Sequence, residues 1–267
     1  SNIAKGKGGI MTISTEEIGK LKDRYLKELY SDVRKEQRID KEYIDDTFKV
    51  EDVTQPHKIY RLGTGREMVD APAEQIVTAN PEVFVEAKNR EATTRLSKFF
   101  NNLIAELKRQ NPNPFKETVK NKLGRGESYV RVFHSERWIA NQTGMPFIFQ
   151  VLDPMVIYGS PDEIENGIPS KIMVSYERQM DEVIMRYPLW TNPKKGEGKK
   201  LATWFEYWDS DTRYFEADGE EVLRQPNIYG IPPFARQYSG FGRRSEDGNL
   251  ASLIVSDIRY SRDLVAL

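Results

Sequence analysis

Cysteine is absent from the 267 residues, and histidine occurs only at His57 and His134. The first absence removes thiol nucleophiles, disulfides and thiolate metal sites. The second leaves no H-x-x-H or H-E-x-x-H spacing, so both histidines read as surface or loop residues rather than metal ligands or general bases. An excess of one charge is missing too: 40 basic residues against 41 acidic ones give a net charge of -1. That balance argues against a protein whose main task is to clamp a phosphate backbone by counterion release. No apolar stretch approaches the roughly 18 residues of a membrane span, and the start has no apolar signal segment. The expectation is a soluble, non-secreted protein with no membrane partner, no metal and no cofactor.

What is present is a globular composition, 38% hydrophobic and 30% charged, long enough for one large or two modest domains. Ser1-Asn2 reads as a cleavage scar and Met11 as a natural start, so residues 1–13 are set aside as a tag or disordered start. Ser14 and Glu17 form a capping-box pattern, followed by Ile18, Leu21, Tyr25, Leu29 and Val33 at helical spacing. This predicts a helix over 14–36, with Asp40 capping a short continuation. Residues 49–79 lose clear periodicity and read as short strands and loops. Asn80-Pro81 is a helix-opening pair, and Leu96, Phe99, Phe100, Leu103, Ile104 and Leu107 give the helix an apolar face that ends near Arg109. Asn111-Pro112-Asn113-Pro114 then breaks the chain and caps a second helix ending at Leu123.

From Gly126 the period changes from 3.6 to 2. Strands are predicted at 127–133, 146–152, 155–158, 171–178, 183–190, 201–208 and 212–216, separated by turn clusters such as Asn166-Gly167 and Asp218-Gly219. A Gly-rich loop at 240–244 precedes a helical pattern that is still running at Leu267. The fold class is α+β: amphipathic helices packed on a mostly antiparallel strand meander, ending in the start of a long helix. The chain divides into a helical part over 14–123, a strand-rich part over 124–240, and a loop with the start of a helix over 241–267.

Candidate chemistry is sparse. Gly124-Arg125-Gly126-Glu127 has the glycines of a phosphate loop, but a dinucleotide fingerprint runs strand, glycines, helix, and here the order is reversed. Gly124 therefore reads as the left-handed residue that ends a helix. Gly63-Thr64-Gly65-Arg66 reads as a turn before a strand. Ser128 lacks the second glycine of a nucleophile elbow. Lys194, Lys195, Lys199 and Lys200 form the most basic window, between two predicted strands. They are either a nucleic-acid or partner contact with aromatics nearby, or a solvated hairpin loop whose like charges guard a strand edge.

One order of motifs stands out: Gly126-Glu127-Ser128-Tyr129-Val130 after a helix, a strand ending Asp153-Pro154, a meander, then Tyr229-Gly230-Ile231-Pro232-Pro233-Phe234 before a helix. In this order the chain resembles the portal proteins of tailed double-stranded DNA bacteriophages. The residues that carry the likeness are Gly126, Tyr129, Asp153, Pro154, Tyr229, Gly230 and Pro233. The resemblance implies a virion protein, made in the host cytoplasm, whose full-length subunits form a ring, dodecameric as a rule, at one capsid vertex. DNA passes through the ring without being tightly bound, and the ring docks the packaging terminase and the head-to-tail connectors. It also implies that the chain is the wing-like N-terminal part of the subunit, with no catalytic centre. The competing readings are a hydrolase acting on nucleic acid or a glycan through Glu127 and Asp153, and a phage tail or adaptor protein that binds through its Tyr- and Trp-rich sheet.

Overall fold

A computed structural model describes residues 13–48, 63–78, 82–190 and 200–239. The fold is α+β with antiparallel sheets. Two compact units emerge, and they do not follow the division into helical and strand-rich parts. One joins the chain up to Glu28 with Val156–Pro232; the other takes Leu29–Met155 and resumes at Pro233.

In the first unit, helix α1 (Thr15–Asp23) starts at a complete capping box, in which the Ser14 side chain accepts from the Glu17 N–H and Glu17 accepts from the Ser14 N–H. The sheet is a five-stranded antiparallel array in which β3 (Ile157–Gly159) flanks the meander β6 (Ile172–Gln179), β7 (Leu201–Trp208), β8 (Thr212–Ala217) and β9 (Glu220–Pro226). A separate short hairpin pairs β4 (Glu163–Glu165) with β5 (Ile168–Pro169). Central β7 is buried on both faces from Trp204 to Trp208. One face carries Phe205 and Tyr207, and α1 reaches it through Lys22, which pairs with Glu216 at 2.5 Å and lies 4.5 Å over the Phe205 ring. On the opposite face Glu206 accepts from both indoles, Trp204 Nε1 at 2.9 Å and Trp208 Nε1 at 3.0 Å, so its buried carboxylate is hydrogen-bonded on both oxygens.

Residues 183–190 were expected to form a strand but belong to helix α7 (Met180–Arg186) and the turn after it. Met180 and Val183 are buried one helical turn apart, Pro188 stops the helix, and Tyr187 stacks on Trp204 at 5.5 Å. A short apolar run does not by itself distinguish the two structures.

In the second unit, a three-stranded sheet of order β10-β1-β2 is formed by β10 (Phe234–Tyr238), β1 (Glu127–His134) and β2 (Phe147–Leu152). Helix α6 (Glu136–Asn141), unforeseen in the sequence, connects β1 to β2. Helix α2 (Ser31–Ile44) follows a π-helical turn at Arg24–Leu29. The extra residue in that turn explains why Tyr30, five positions after Tyr25, is buried, where the regular spacing pointed to Leu29. Asp40 is buried inside α2 rather than at the start of a new helix, because α2 continues through it to Ile44.

Residues 64–78, expected as strand and loop, are helix α3 (Thr64–Thr78), with Pro72 inside it. Gly65 is not a turn residue: it sits in α3 where the helix meets Tyr43, and an added Cβ would lie 2.7 Å from both the Tyr43 ring and its carbonyl oxygen. Helix α4 (Arg90–Arg109) begins later than Asn80-Pro81 suggested, because Asn89 is its cap and accepts from the Ala92 N–H at 2.7 Å. Helix α5 (Pro114–Arg125) is capped by Asn113, with Pro114 in the first turn. It ends at Gly126 (φ 80°), two residues later than expected. Gly124 lies inside the helix, with the Ile44 Cδ1 atom 2.7 Å from where its Cβ would be. The loop and helix expected over 240–267, and the stretch 49–62 with His57, lie outside the described residues.

These two glycines give a paired test. At Gly65 an alanine collides with backbone, which cannot yield cheaply, so Gly65→Ala should destabilise by about 1–3 kcal/mol. At Gly124 only the tip of an isoleucine must move, and the gain in helix propensity of about 1 kcal/mol offsets it, so Gly124→Ala should be near neutral in urea denaturation.

Candidate functional site

Of the residues singled out for chemistry, Gly124, Arg125, Gly126, Glu127 and Ser128 lie at the junction of α5 and β1, in the second unit. Helix α2 presents Tyr30, Val33, Arg34, Gln37 and Asp40 on one buried stripe. Arg34 Nη1 donates to Glu127 Oε1 at 2.9 Å, and both side chains are almost wholly enclosed. Gln37 Nε2 donates to the Arg125 carbonyl at 2.8 Å, and Arg125 Nη1 donates back to the Gln37 carbonyl. The left-handed turn at Gly126 is thus clamped from both sides: its own N–H bonds the Lys122 carbonyl and its carbonyl accepts from the Ser239 N–H. The glycine-arginine stretch is held by bonds from Arg34, Gln37 and Ser239, while Glu127 Oε2 and Ser128 Oγ are buried without a hydrogen-bond partner among the described residues.

The electrostatics agree. Burial is the largest single influence and opposes the Arg34 charge, but the Glu127 carboxylate together with the Tyr30 and Tyr129 phenols outweighs it and leaves the guanidinium held above its ordinary range. Tyr129, paired across the sheet with Arg236 and fully buried, lies 3.4 Å from Tyr30 hydroxyl to hydroxyl. Burial first, and the Glu127 charge second, push both phenols upward, Tyr129 strongly.

The other marker residues serve geometry. Asp153 is exposed and its Oδ1 accepts from the Met155 N–H at 2.9 Å, around buried Pro154. The Tyr229 N–H bonds Asn227 Oδ1, and Gly230 takes φ 68° in the same turn. The carbonyl of buried Pro233 accepts from the Val132 N–H of β1 at 2.9 Å. Glu127 and Asp153, the pair required by the hydrolase reading, have different environments: Glu127 is enclosed and bound to Arg34, while Asp153 caps a surface turn. Ser128 is buried, and His134 is exposed at the end of β1 against the Phe147 ring. Lys194, Lys195 and Lys199 lie outside the described residues. Lys200 is exposed, and its carbonyl accepts from the Met180 N–H, so the basic window links α7 to β7 rather than two strands.

One open cleft of about 650 Å³ lies beside this sheet, between the α4–α5 corner and β2, lined by Gln110, Asn111, Glu117, Asn121, Gln150 and Asp153 among others. Its lining offers amides and two carboxylates, Glu117 and Asp153, with no histidine, hydroxyl or cation among the lining residues, so it can hydrogen-bond a ligand. Among the described residues no group of three or more His, Cys, Asp or Glu is placed to hold a metal ion, and no helix is long and apolar enough to cross a membrane.

Apolar exposure was less visible in the sequence. Helix α4 buries only Leu107; Leu96, Phe99 and Phe100 remain open to solvent. Phe84 is 86% exposed, and in the first unit Met185, Leu189 and Ile228 are each more than 80% exposed.

No protein-family model matches the chain, and no curated protein matches its sequence.

The raised phenols give a pH test. A folded-state tyrosine pKa above the unfolded value means that the unfolded chain loses its protons first, so stability is intact below about pH 10 and falls as pH rises further. Each such tyrosine contributes a slope of about 1.4 kcal/mol per pH unit. Denaturation of Tyr129→Phe between pH 8 and 11 should therefore show a shallower alkaline loss, by one proton, than the parent protein; an unchanged slope would contradict the burial assigned to Tyr129.

Proposed function

We propose that the chain is the wing-like N-terminal part of a portal subunit of a tailed double-stranded DNA bacteriophage. In this role it is a structural component of a ring at one capsid vertex, through which DNA is packaged and ejected. Its partners are further copies of itself, the packaging terminase, the head-to-tail connectors and DNA in transit, in the virion and, during assembly, in the host cytoplasm. The observation that carries the reading is the sheet β10-β1-β2. Its central strand opens with Gly126-Glu127-Ser128-Tyr129-Val130, one neighbour follows directly on Tyr229-Gly230-Ile231-Pro232-Pro233, and the other ends at Asp153-Pro154. Marker segments about a hundred residues apart are thus joined as neighbouring strands, which gives their order in the sequence a physical reason.

Two further features support it. The buried carboxylate at the most suggestive motif, Glu127, is paired with Arg34 of α2, as a scaffold requires, and large apolar side chains stand exposed on both units, as expected of a subunit made for assembly. The near-zero net charge suits a conduit in which a polyanion must slide.

The test is negative-stain electron microscopy of protein expressed from the full natural reading frame. Closed rings with a central channel are expected, built through a head-to-tail interface. Monomers alone, under conditions where phage structural proteins assemble, would overturn the reading.

A further inference from the structure

Residues 82–87 run extended beside helix α4, up to a bend at Lys88, and are held by its side chains rather than by another strand. The backbone N–H groups of Val83, Val85 and Ala87 donate to Asn101 Oδ1 at 2.9 Å, Ser97 Oγ at 3.0 Å and Thr93 Oγ1 at 3.2 Å. Asn101 Nδ2 returns a bond to the Val83 carbonyl at 3.1 Å. The match is one of pitch: four helical residues advance about 6 Å and two extended residues about 6.6 Å, so polar side chains every fourth residue meet alternate N–H groups.

An extended chain directs the N–H and C=O groups of successive residues to opposite edges. With the odd-numbered groups turned to α4, those of Phe84 and Glu86 face the other way, and neither residue makes a hydrogen bond among the described residues. Glu82, Phe84, Glu86 and Lys88 are all exposed. The segment is an extended stretch with one edge satisfied and the other open, a template for pairing.

We propose that this open edge pairs antiparallel with the same segment of a second copy, with Phe84 opposite the partner's Glu86 and Glu82 opposite the partner's Lys88. Charge selects both the occupant and the register. The two-fold arrangement centred on Val85 creates two opposite-charge pairs and no like-charge pair. Centring on Phe84 sets Glu82 against the partner's Glu86, and centring on Glu86 sets two carboxylates face to face; both cost stability. The contact is isologous and closes at two, so it is separate from the head-to-tail contact of a ring and does not rest on the portal reading. Seven residues a side fall short of the roughly 800 Å² per partner of a stable dimer, so the association is weak and concentration-dependent.

Sedimentation velocity on the 267-residue chain, over a range of concentrations, tests this with Glu82→Lys, Lys88→Glu and the double variant. These positions are exposed, so folding is not at stake. Each single substitution sets like charges opposite twice and should weaken the dimer roughly tenfold. Mixing the two single variants, or combining them in one chain, restores both pairs and should recover the dimer to within about threefold. A monomer at every concentration, a dimer indifferent to the substitutions, or a mixture no tighter than its components would overturn the proposal. Rings from the full reading frame, with no charge-dependent dimer of the 267-residue chain, would uphold the ring reading while overturning this one; a rescued dimer without rings would do the reverse.

Discussion

The ion pair between Arg34 and Glu127 is the constraint on which the second unit depends. Two charges removed from water carry a desolvation cost of several kcal/mol each, repaid only while both stay in place and are hydrogen-bonded. Arg34 comes from α2 and Glu127 is the first residue of β1, so the pair fixes a helix to the start of a strand. Gln37 extends the constraint by one helical turn to the Arg125 carbonyl, and with it α5, Gly126 and β1 are set in one register. Once β1 is fixed, its pairing with β2 on one edge and β10 on the other follows from ordinary antiparallel ladders.

This explains why a stretch with the composition of an active loop is a scaffold. A phosphate loop leaves its backbone N–H groups and its cation free for the ligand. Here the Gly126 N–H closes α5, the arginine from α2 neutralises the only carboxylate of the stretch, and Arg125 bonds a backbone carbonyl. The raised phenols of Tyr30 and Tyr129 are a by-product of the same enclosure and need no catalytic role.

Much of the fold was legible because its signals are local. Ser14 with Glu17, Asn113 before Pro114, and the two-residue alternation of β1, β2, β6 and β7 each satisfy a nearby backbone or pattern requirement that the sequence displays. The misreadings have a common origin in tertiary contact. Gly63, Gly65 and Pro72 look like breakers, yet α3 forms because Gly65 permits close approach to Tyr43. Gly124 looks like the helix end, but it lies inside α5 with the tip of Ile44 packed on it, and Gly126 supplies the left-handed turn. The buried stripe of α2 was invisible because Asp40 read as a cap and nothing in the sequence marks the polar Arg34 and Gln37 as buried until their partners, distant in sequence, are known. The extended stretch held by Thr93, Ser97 and Asn101 did leave a signal, polar residues every fourth position, but it means nothing until the alternate residues from Val83 to Ala87 are set beside it.

The central claim is that one buried charge pair holds α2, α5 and β1 together as a unit, and amide hydrogen exchange of Arg34→Met measures it most directly. With Glu127 left uncompensated, at a cost of about 3–5 kcal/mol, the amides of Val130 and Val132 in β1, of Leu123 in α5 and of Gln37 in α2 should lose protection together and by a similar factor. Loss confined to the turn around Arg34, with β1 and α5 as protected as in the parent protein, would contradict the account.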